Sequence, residues 1–152
     1  MKRRTLLSLA AASAAGGALP ARARPSLPQV EVFKNPDCGC CAGWVEHLKA
    51  AGFPVQVHET PDTAAVRKRH GIPDAFGSCH TGVVAGYALE GHVPADDVKR
   101  LLVQKPAAAG LSVPGMPVGA PGMEMGSRKD PFQVLLIDKA GRSSVFATYP
   151  RT

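Results

Sequence analysis

The sequence lacks several features by which large classes of protein are identified. Its most apolar stretch, the Ala-rich run at positions 6–19, is shorter than the roughly 20 residues that a membrane-spanning helix needs. Aromatic residues are few, with five Phe, two Tyr and one Trp in 152 residues, and no cluster of Lys and Arg alternates with them. Nucleic acid is therefore not an expected partner. No internal repeat is present, and the length suits one domain with one core.

The first 23 residues have the three parts of a bacterial signal peptide. A basic cluster at positions 2–4 precedes the apolar run at 6–19, and a small-x-small site at 21–23 closes the segment. The arginine pair in the cluster also resembles a twin-arginine signal; an ordinary secretory signal or an uncleaved anchor are the alternatives. We expect export to the periplasm, cleavage after Ala23, and a mature domain of residues 24–152 that has no membrane contact.

The hydrophobic pattern predicts strands and helices in an order typical of one fold class. The predicted elements are strand 30–33, helix 42–51, strand 55–58, helix 60–70, strand 81–90 with a turn at 90–91 into a short return, helix 95–104, and a hairpin of strands 133–137 and 144–148. The first strand runs directly into a cysteine motif at a helix N-terminus. We therefore expect an α/β, thioredoxin-like sandwich with an added C-terminal β-hairpin.

The segment 105–130 differs from its surroundings in composition. Four prolines are interspersed with glycines, and no hydrophobic periodicity is visible. Long loops without secondary structure are uncommon in compact domains and are often functional. We expect one long Met-, Pro- and Gly-rich loop here.

The four cysteines carry the strongest functional signal in the chain. The motif Cys38-Gly39-Cys40-Cys41 is a C-x-x-C pair with an extra thiol inside it, at a helix N-terminus where unpaired N–H groups and the helix dipole favour thiolate. Cys79 precedes the third predicted strand, and in a thioredoxin-like arrangement that loop lies beside the first helix's N-terminus. Thiolates prefer Cu(I) and Zn(II) over hard cations. We expect all four sulfurs to meet in one site that binds copper.

Three other interpretations of the cysteines stay open at this point. Two structural disulfides are compatible with an exported chain, although Cys79 would have to join one of the pairs. A structural zinc site is a second alternative, but zinc ribbons usually spread their ligands as two separated pairs. The third is a metal-free thiol–disulfide oxidoreductase that uses Cys38 and Cys41. Residues 76–81 contain no proline where an ordinary thioredoxin has a cis-proline, which counts against that alternative.

Methionine and histidine supply further candidate ligands. Apart from the start residue, the only methionines are Met116, Met123 and Met125, all in the Pro/Gly-rich loop. A thioether is a soft ligand that needs no deprotonation, although a flexible lid or an apolar plug over the cysteines would use methionine equally well. His80 follows Cys79 directly and is the best histidine candidate, even though strand neighbours point to opposite faces. The remaining histidines are expected at the surface or in turns: His47, His58, His70 and His92.

Three stretches of the chain resemble a known family. VFKNPDCGCCAGWVEHLKAAGF, GSCHTGVV and VPGMPVGAPGMEMG, in this order, are similar to small exported bacterial proteins that were long labelled a domain of unknown function and include the CopG-like proteins of copper-resistance gene clusters. The resemblance extends from about Val30 to Tyr149. The family's motif residues map onto Cys38, Cys40, Cys41 and Cys79 and, in the loop, onto Met116, Met123 and Met125. The resemblance implies a thioredoxin-like fold, a cysteine-rich copper site with one ion or more, and a role in converting Cu(I) and Cu(II) during copper detoxification.

Together these observations predict a periplasmic copper-binding protein of copper resistance or homeostasis. Cu(I) would be held by the four-cysteine site, and Cys38 and Cys41 would form its redox pair. Four thiolates outnumber the ligands that a single Cu(I) needs, so a small thiolate-bridged cluster is an alternative to one ion. Expected partners are copper ions and other periplasmic copper-resistance proteins. The sequence leaves open whether the protein is a copper oxidoreductase with turnover or a store or chaperone.

Overall fold

The structure is a computed structural model and describes residues 26–150. The predicted signal peptide, residues 1–23, lies outside the described residues. Within residues 26–150, no helix combines the length and apolar character that crossing a bilayer would require.

The described residues form seven strands and three α-helices. In chain order these are β1 (Val30–Lys34), α1 (Gly39–Ala50), β2 (Val55–Glu59), α2 (Thr63–Arg69), β3 (His80–Val84), β4 (Tyr87–Glu90), α3 (Ala95–Gln104), β5 (Ala108–Ser112), β6 (Phe132–Asp138) and β7 (Ser143–Tyr149). A short 3₁₀-helix, Asp74–Phe76, lies between α2 and β3.

All seven strands belong to one sheet with the order β2-β1-β3-β4-β5-β6-β7. β1 and β2 are parallel and are connected through α1, whereas β3 runs antiparallel to β1 and forms a hairpin with β4. This order and these directions are those of a thioredoxin-like core, which confirms the predicted fold class. β5 extends the sheet beside β4, and the predicted C-terminal hairpin is confirmed as β6 and β7.

Helix α1 is fixed on the sheet by an apolar stripe that includes one cysteine of the motif. Its buried residues are Cys41, Trp44, Val45 and Leu48, which recur with the i, i+3, i+4, i+7 spacing of one helix face. Trp44 packs so closely on Gly82 of β3 that a Cβ there would lie 2.9 Å from the indole ring. Its Nε1 donates to the backbone oxygen of Val93 at 2.8 Å. Burial of each large side chain contributes about 1.5–3 kcal/mol, so the stripe holds Cys41 inward and α1 in place.

Two predicted elements differ from the structure near the site. α1 begins at Gly39, three residues earlier than predicted, so Cys40 and Cys41 lie in its first turn. The predicted strand 81–90 is two strands, because Ala85 and Gly86 both have positive φ (48° and 86°) and make a two-residue hairpin turn. The apolar run continues through this turn, and periodicity alone therefore could not locate it.

The segment 105–130 is not one long loop, because its first part forms β5. Gly110 lies so close to β4 that a Cβ would be 1.9 Å from the backbone oxygen of Ala88. The Ala- and Gly-rich sequence of β5 has low strand propensity, and its place between β4 and β6 supplies the hydrogen bonds that stabilise it. The irregular part is residues 113–131, called the Met loop below.

Candidate metal centre

The candidate centre is built where α1 begins. Asn35 and Pro36 make a turn in which the Cys38 N–H donates to the backbone oxygen of Asn35 at 3.1 Å, and the Asp37 N–H donates to the Asn35 side chain at 3.0 Å. This turn delivers Cys38 to the N-cap of α1. Within the described residues, the Cys38 side chain makes no capping hydrogen bond and the first turn of α1 holds no acidic residue. The positive end of α1 therefore faces the cysteine cluster.

The structure brings the four cysteine sulfurs together. Cys38 and Cys41 form a disulfide, and Cys40 and Cys79 are free thiols. Cys40 Sγ lies 3.5 Å from Cys38 Sγ. Cys79 Sγ lies 3.6 Å from Cys41 Sγ and 3.9 Å from Cys40 Sγ. All four sulfurs lie within 4.8 Å of one another, so reduction of the disulfide would place four thiol donors in one small volume.

Two buried imidazoles extend the cluster on the side of Cys79. Cys79 Sγ lies 3.3 Å from His80 Nδ1 and 3.3 Å from His92 Nε2. Both histidines are fully buried. His80 was already a candidate ligand from the sequence. Its side chain and that of Cys79 can both face the centre because β3 begins at His80, so Cys79 lies outside the strand and the two side chains need not point to opposite faces of the sheet.

The tautomer of His92 follows from its surroundings. Its Nδ1 lies 2.8 Å from the backbone oxygen of Pro121, which can only accept a hydrogen bond. His92 Nδ1 therefore carries the proton, and Nε2 presents its lone pair to the Cys79 sulfur. His80 differs, because its Nε2 is buried and has no hydrogen-bond partner in the described part of the chain. His92 is thus oriented as a metal-binding histidine is, by a second hydrogen bond behind it.

Sequence reasoning missed His92, which was expected at the surface or in a turn. It does lie in the turn between β4 and α3, but it is fully buried there. The local sequence has no signal for this burial, because the residues that cover His92 come from β3 and the Met loop. Of the other histidines, His47 is half-buried and its Nε2 accepts from the Ala95 N–H at 3.0 Å, capping α3. His58 and His70 are half-buried and stand apart from the cysteine cluster.

Burial determines the charge state of the donors around Cys79. It raises the pKa of the Cys79 thiol to about 12, and the neighbouring Cys40 adds to the rise. Burial lowers the pKa of His80 to about 3 and also lowers the pKa of His92. In the metal-free protein at neutral pH, Cys79 is therefore a thiol and both imidazoles are neutral. Neutral imidazole is the metal-binding form, and a bound cation would favour loss of the thiol proton.

A buried carboxylate fixes the backbone on both sides of Cys79. Glu90, 1% exposed, accepts from the Ser78 N–H at 2.6 Å with Oε1 and from the Thr81 hydroxyl at 2.7 Å with Oε2. Arg67 Nη1 lies 3.5 Å from Oε1, and its Nη2 donates to Asp74 at 2.7 Å. Burial raises the pKa of Glu90, while the bonds from Thr81, Ser78 and Arg67 oppose that rise. Sequence reasoning also missed Glu90, because its partners lie 9–23 residues away along the chain.

The Met loop covers the centre with its backbone. Gly122 has φ +84°, and a Cβ there would lie 2.5 Å from Trp44 N and 2.8 Å from the Cys40 backbone oxygen. Only glycine can make this approach to the first turn of α1. The predicted ligands Met116 and Met125 are exposed, at 54% and 64%, and Met123 is half-buried. The described structure therefore places two of the three thioethers on the outside of the loop.

Known proteins resemble this chain both in structure and in sequence. Two solved structures of copper resistance protein CopG, designated Form 2 and Form 1, superpose with TM-scores of 0.78 and 0.77. Each is 47% identical in sequence and covers 82% of this chain and 99% of its own. A family model described as protein of unknown function, DUF411, matches residues 76–123, which include Cys79, His80 and His92. Among curated proteins, none matches the chain.

Proposed function

The chain belongs to the family of copper resistance protein CopG, and from this premise we propose that it binds Cu(I) as cargo in the periplasm and interconverts Cu(I) and Cu(II). The observation that carries the proposal is the meeting of four cysteine sulfurs and two imidazoles at the N-terminus of α1. Thiolate and imidazole are both copper ligands, and soft thiolate selects Cu(I).

In the reduced protein, the donors would be the thiolates of Cys38, Cys40, Cys41 and Cys79. Their sulfurs lie close enough for one ion, or for a small cluster in which thiolates bridge neighbouring ions. The N-terminus of α1 stabilises the negative charge that four thiolates bring. Copper would enter here as Cu(I), because an all-sulfur donor set favours the softer oxidation state.

Oxidation of Cys38 and Cys41 would change this donor set. Two thiols that become a disulfide release two electrons and two protons, and the electrons reduce two Cu(II) to two Cu(I). The disulfide withdraws two sulfur donors from the site. Cys79, His80 and His92 stay together as one sulfur and two nitrogen donors, a set better suited to Cu(II) than four thiolates are. The redox state of Cys38 and Cys41 would thereby set which copper ion the site prefers.

The Met loop and the leader have proposed roles that follow from their positions. Met116 and Met125 are exposed, so they would take Cu(I) at the surface and pass it to another copper-resistance protein. Met123 is half-buried and would contact the ion nearer the centre. The basic, apolar and small-x-small segments of residues 1–23 would direct the chain to the periplasm.

A metal-free thiol–disulfide oxidoreductase is the second candidate function. The observation that favours it is the Cys38–Cys41 disulfide at the N-terminus of the first helix of a thioredoxin-like fold. The same pair would then exchange with an external dithiol, without copper.

An anaerobic Cu(I) titration of the reduced protein, in competition with a chromophoric Cu(I) chelator, tests the proposal. We expect tight Cu(I) binding that weakens at least tenfold in Cys79→Ser, because the Cys79 sulfur belongs both to the four-cysteine group and to the group that it forms with His80 and His92. The control is His70→Ala, which lies apart from the cluster and should bind as the parent does. Weak binding that is unaffected by Cys79→Ser would overturn the proposal and favour the metal-free oxidoreductase.

A further inference from the structure

The two free thiols of the centre flank the disulfide, one beside each of its sulfurs. Cys79 Sγ lies 3.6 Å from Cys41 Sγ, and Cys40 Sγ lies 3.5 Å from Cys38 Sγ. These are contact distances between sulfur atoms that are not bonded to each other. Exchange of a disulfide begins when a third sulfur attacks one of its two sulfurs along the line of the S–S bond. Cys79 Sγ is in contact with Cys41 Sγ, but it also lies within 4.8 Å of Cys38 Sγ, so the Cys79 side chain has to turn before its sulfur is in line with the disulfide.

We propose that Cys79 is an internal exchange partner of the Cys38–Cys41 disulfide, and that the protein transfers this disulfide to a Cys41–Cys79 bridge. The inference goes beyond copper binding and requires no metal. In this exchange Cys41 always belongs to the disulfide, and its partner is either Cys38 or Cys79.

The exchange is balanced without an external oxidant or reductant. The bond between Cys38 Sγ and Cys41 Sγ breaks, the bond between Cys41 Sγ and Cys79 Sγ forms, and Cys38 leaves as a thiolate. Cys79 is a thiol in the metal-free protein, so its proton has to leave as it attacks, and the departed Cys38 thiolate then takes up a proton, which keeps the exchange balanced. His92 Nε2, whose lone pair lies 3.3 Å from the Cys79 sulfur, is in place to accept the Cys79 proton.

The position of Cys38 favours it as the leaving group. Cys38 is the N-cap of α1, where the unpaired N–H groups of the first turn and the helix dipole stabilise a thiolate. Exchange is faster when the departing thiol is the more acidic one. Cys38 is also only half-buried, so the transfer would place a free thiol at the outer edge of the centre.

Cys79 is a better exchange partner than Cys40. Attack of Cys40 on Cys38 would join the N-cap to a residue of the first turn, two positions away, and would disrupt the start of α1. Attack of Cys79 instead joins α1 to the residue that precedes β3, two segments that already pack together through Trp44 and Gly82. The transferred bridge would therefore leave both elements where they are.

Disulfide mapping of the oxidised, metal-free protein tests the inference. Trypsin is expected to place Cys38, Cys40 and Cys41 in the peptide 35–49 and Cys79 in the peptide 70–99. The present disulfide is internal to the first peptide, whereas the transferred one links the two. After acid quenching and alkylation, we expect a population of linked peptides in the parent and in Cys40→Ser. Cys79 should lose alkylation in the same proportion as Cys38 gains it.

Double variants identify the sulfurs and guard against a folding failure. Cys38→Ser/Cys40→Ser retains only Cys41 and Cys79, and under mild oxidation it should form the linked peptides completely. Cys40→Ser/Cys41→Ser retains Cys38 and Cys79, the pair that the proposed exchange does not join, and should form the linked peptides at least tenfold more slowly. Fluorescence of the single buried Trp44 reports that each variant is folded.

Two results would overturn the inference. One is a parent protein and Cys40→Ser variant in which Cys79 stays fully alkylated over hours while Cys38–Cys41 stays intact. The other is a folded Cys38→Ser/Cys40→Ser variant that keeps two free thiols under oxidation. Neither result bears on copper, because the Cu(I) titration uses the reduced protein and can succeed or fail independently.

Discussion

Replacement of Glu90 tests whether a buried carboxylate positions Cys79. Its two oxygens hold the Ser78 N–H and the Thr81 hydroxyl, one residue before Cys79 and two residues after it. In Glu90→Gln both bonds can persist, because the amide oxygen accepts from Ser78 and the amide nitrogen donates to Thr81. In Glu90→Ala both are lost, and Arg67 loses its nearest buried counter-charge.

The geometry sets different magnitudes for the two variants of Glu90. A hydrogen bond to a charged group contributes about 1.5–3 kcal/mol, and one between neutral groups about 0.5–1.5 kcal/mol. Glu90→Gln weakens two such bonds and should lower the free energy of unfolding by about 2 kcal/mol. Glu90→Ala removes the partner of the Ser78 N–H and of the buried Thr81 hydroxyl and leaves Arg67 with Asp74 alone, so it should cost more than Glu90→Gln, about 3–5 kcal/mol.

Urea unfolding followed by Trp44 fluorescence measures these changes, and Cu(I) competition measures the effect on the site. We expect Glu90→Ala, where it is folded, to weaken Cu(I) binding at least tenfold, and Glu90→Gln to weaken it less. Asp74→Asn is the matched control, because Asp74 is exposed and contacts Arg67 without reaching Ser78 or Thr81. Parental stability and Cu(I) affinity in Glu90→Ala would refute the idea that Glu90 fixes the Cys79 segment.

Three further predictions concern the Met loop, a helix cap and the nitrogen donors. Gly122→Ala should destabilise the protein by about 1–3 kcal/mol in urea unfolding, because the added Cβ would clash with α1. Gly126→Ala is the control: Gly126 also has positive φ, but its added Cβ would contact no other atom, so it should cost less. Equal losses of stability in the two variants would contradict the clash. Burial lowers the pKa of His47, so the unfolded chain binds a proton at this residue more readily than the folded protein does, and the free energy of unfolding falls as pH drops below the ordinary value of 6.5. His47→Gln should make that fall less steep in thermal unfolding between pH 7.5 and 5. An unchanged slope would contradict the capping role. His92→Gln should weaken Cu(II) binding by the oxidised protein, measured by electron paramagnetic resonance, more than Cu(I) binding by the reduced protein, whereas equal effects would argue against two donor sets.

The sequence predicted the thioredoxin-like order of elements and the two segments that supply the cysteine cluster, residues 38–41 and Cys79. These features are encoded locally: Cys38 follows a turn and starts a helix, and α1 and α3 carry the periodicity of one buried face. The resemblance to CopG-like proteins rested on the same stretches and is confirmed by the comparison. The copper-ligand roles of the cysteines, Met116, Met123, Met125 and His80 stay predictions.

Tertiary structure decided the rest of the centre. The local sequence predicts neither the burial of His92, nor the bond from its ring to Pro121, nor the two bonds by which Glu90 holds the Cys79 segment. β5 was missed for the same reason, because its short Ala- and Gly-rich sequence is stabilised by the two strands that flank it. Local patterns determine where a helix or strand forms, since neighbours along the chain share its hydrogen bonds. Burial, imidazole tautomers and the choice of disulfide partner depend on groups that only the folded chain brings together.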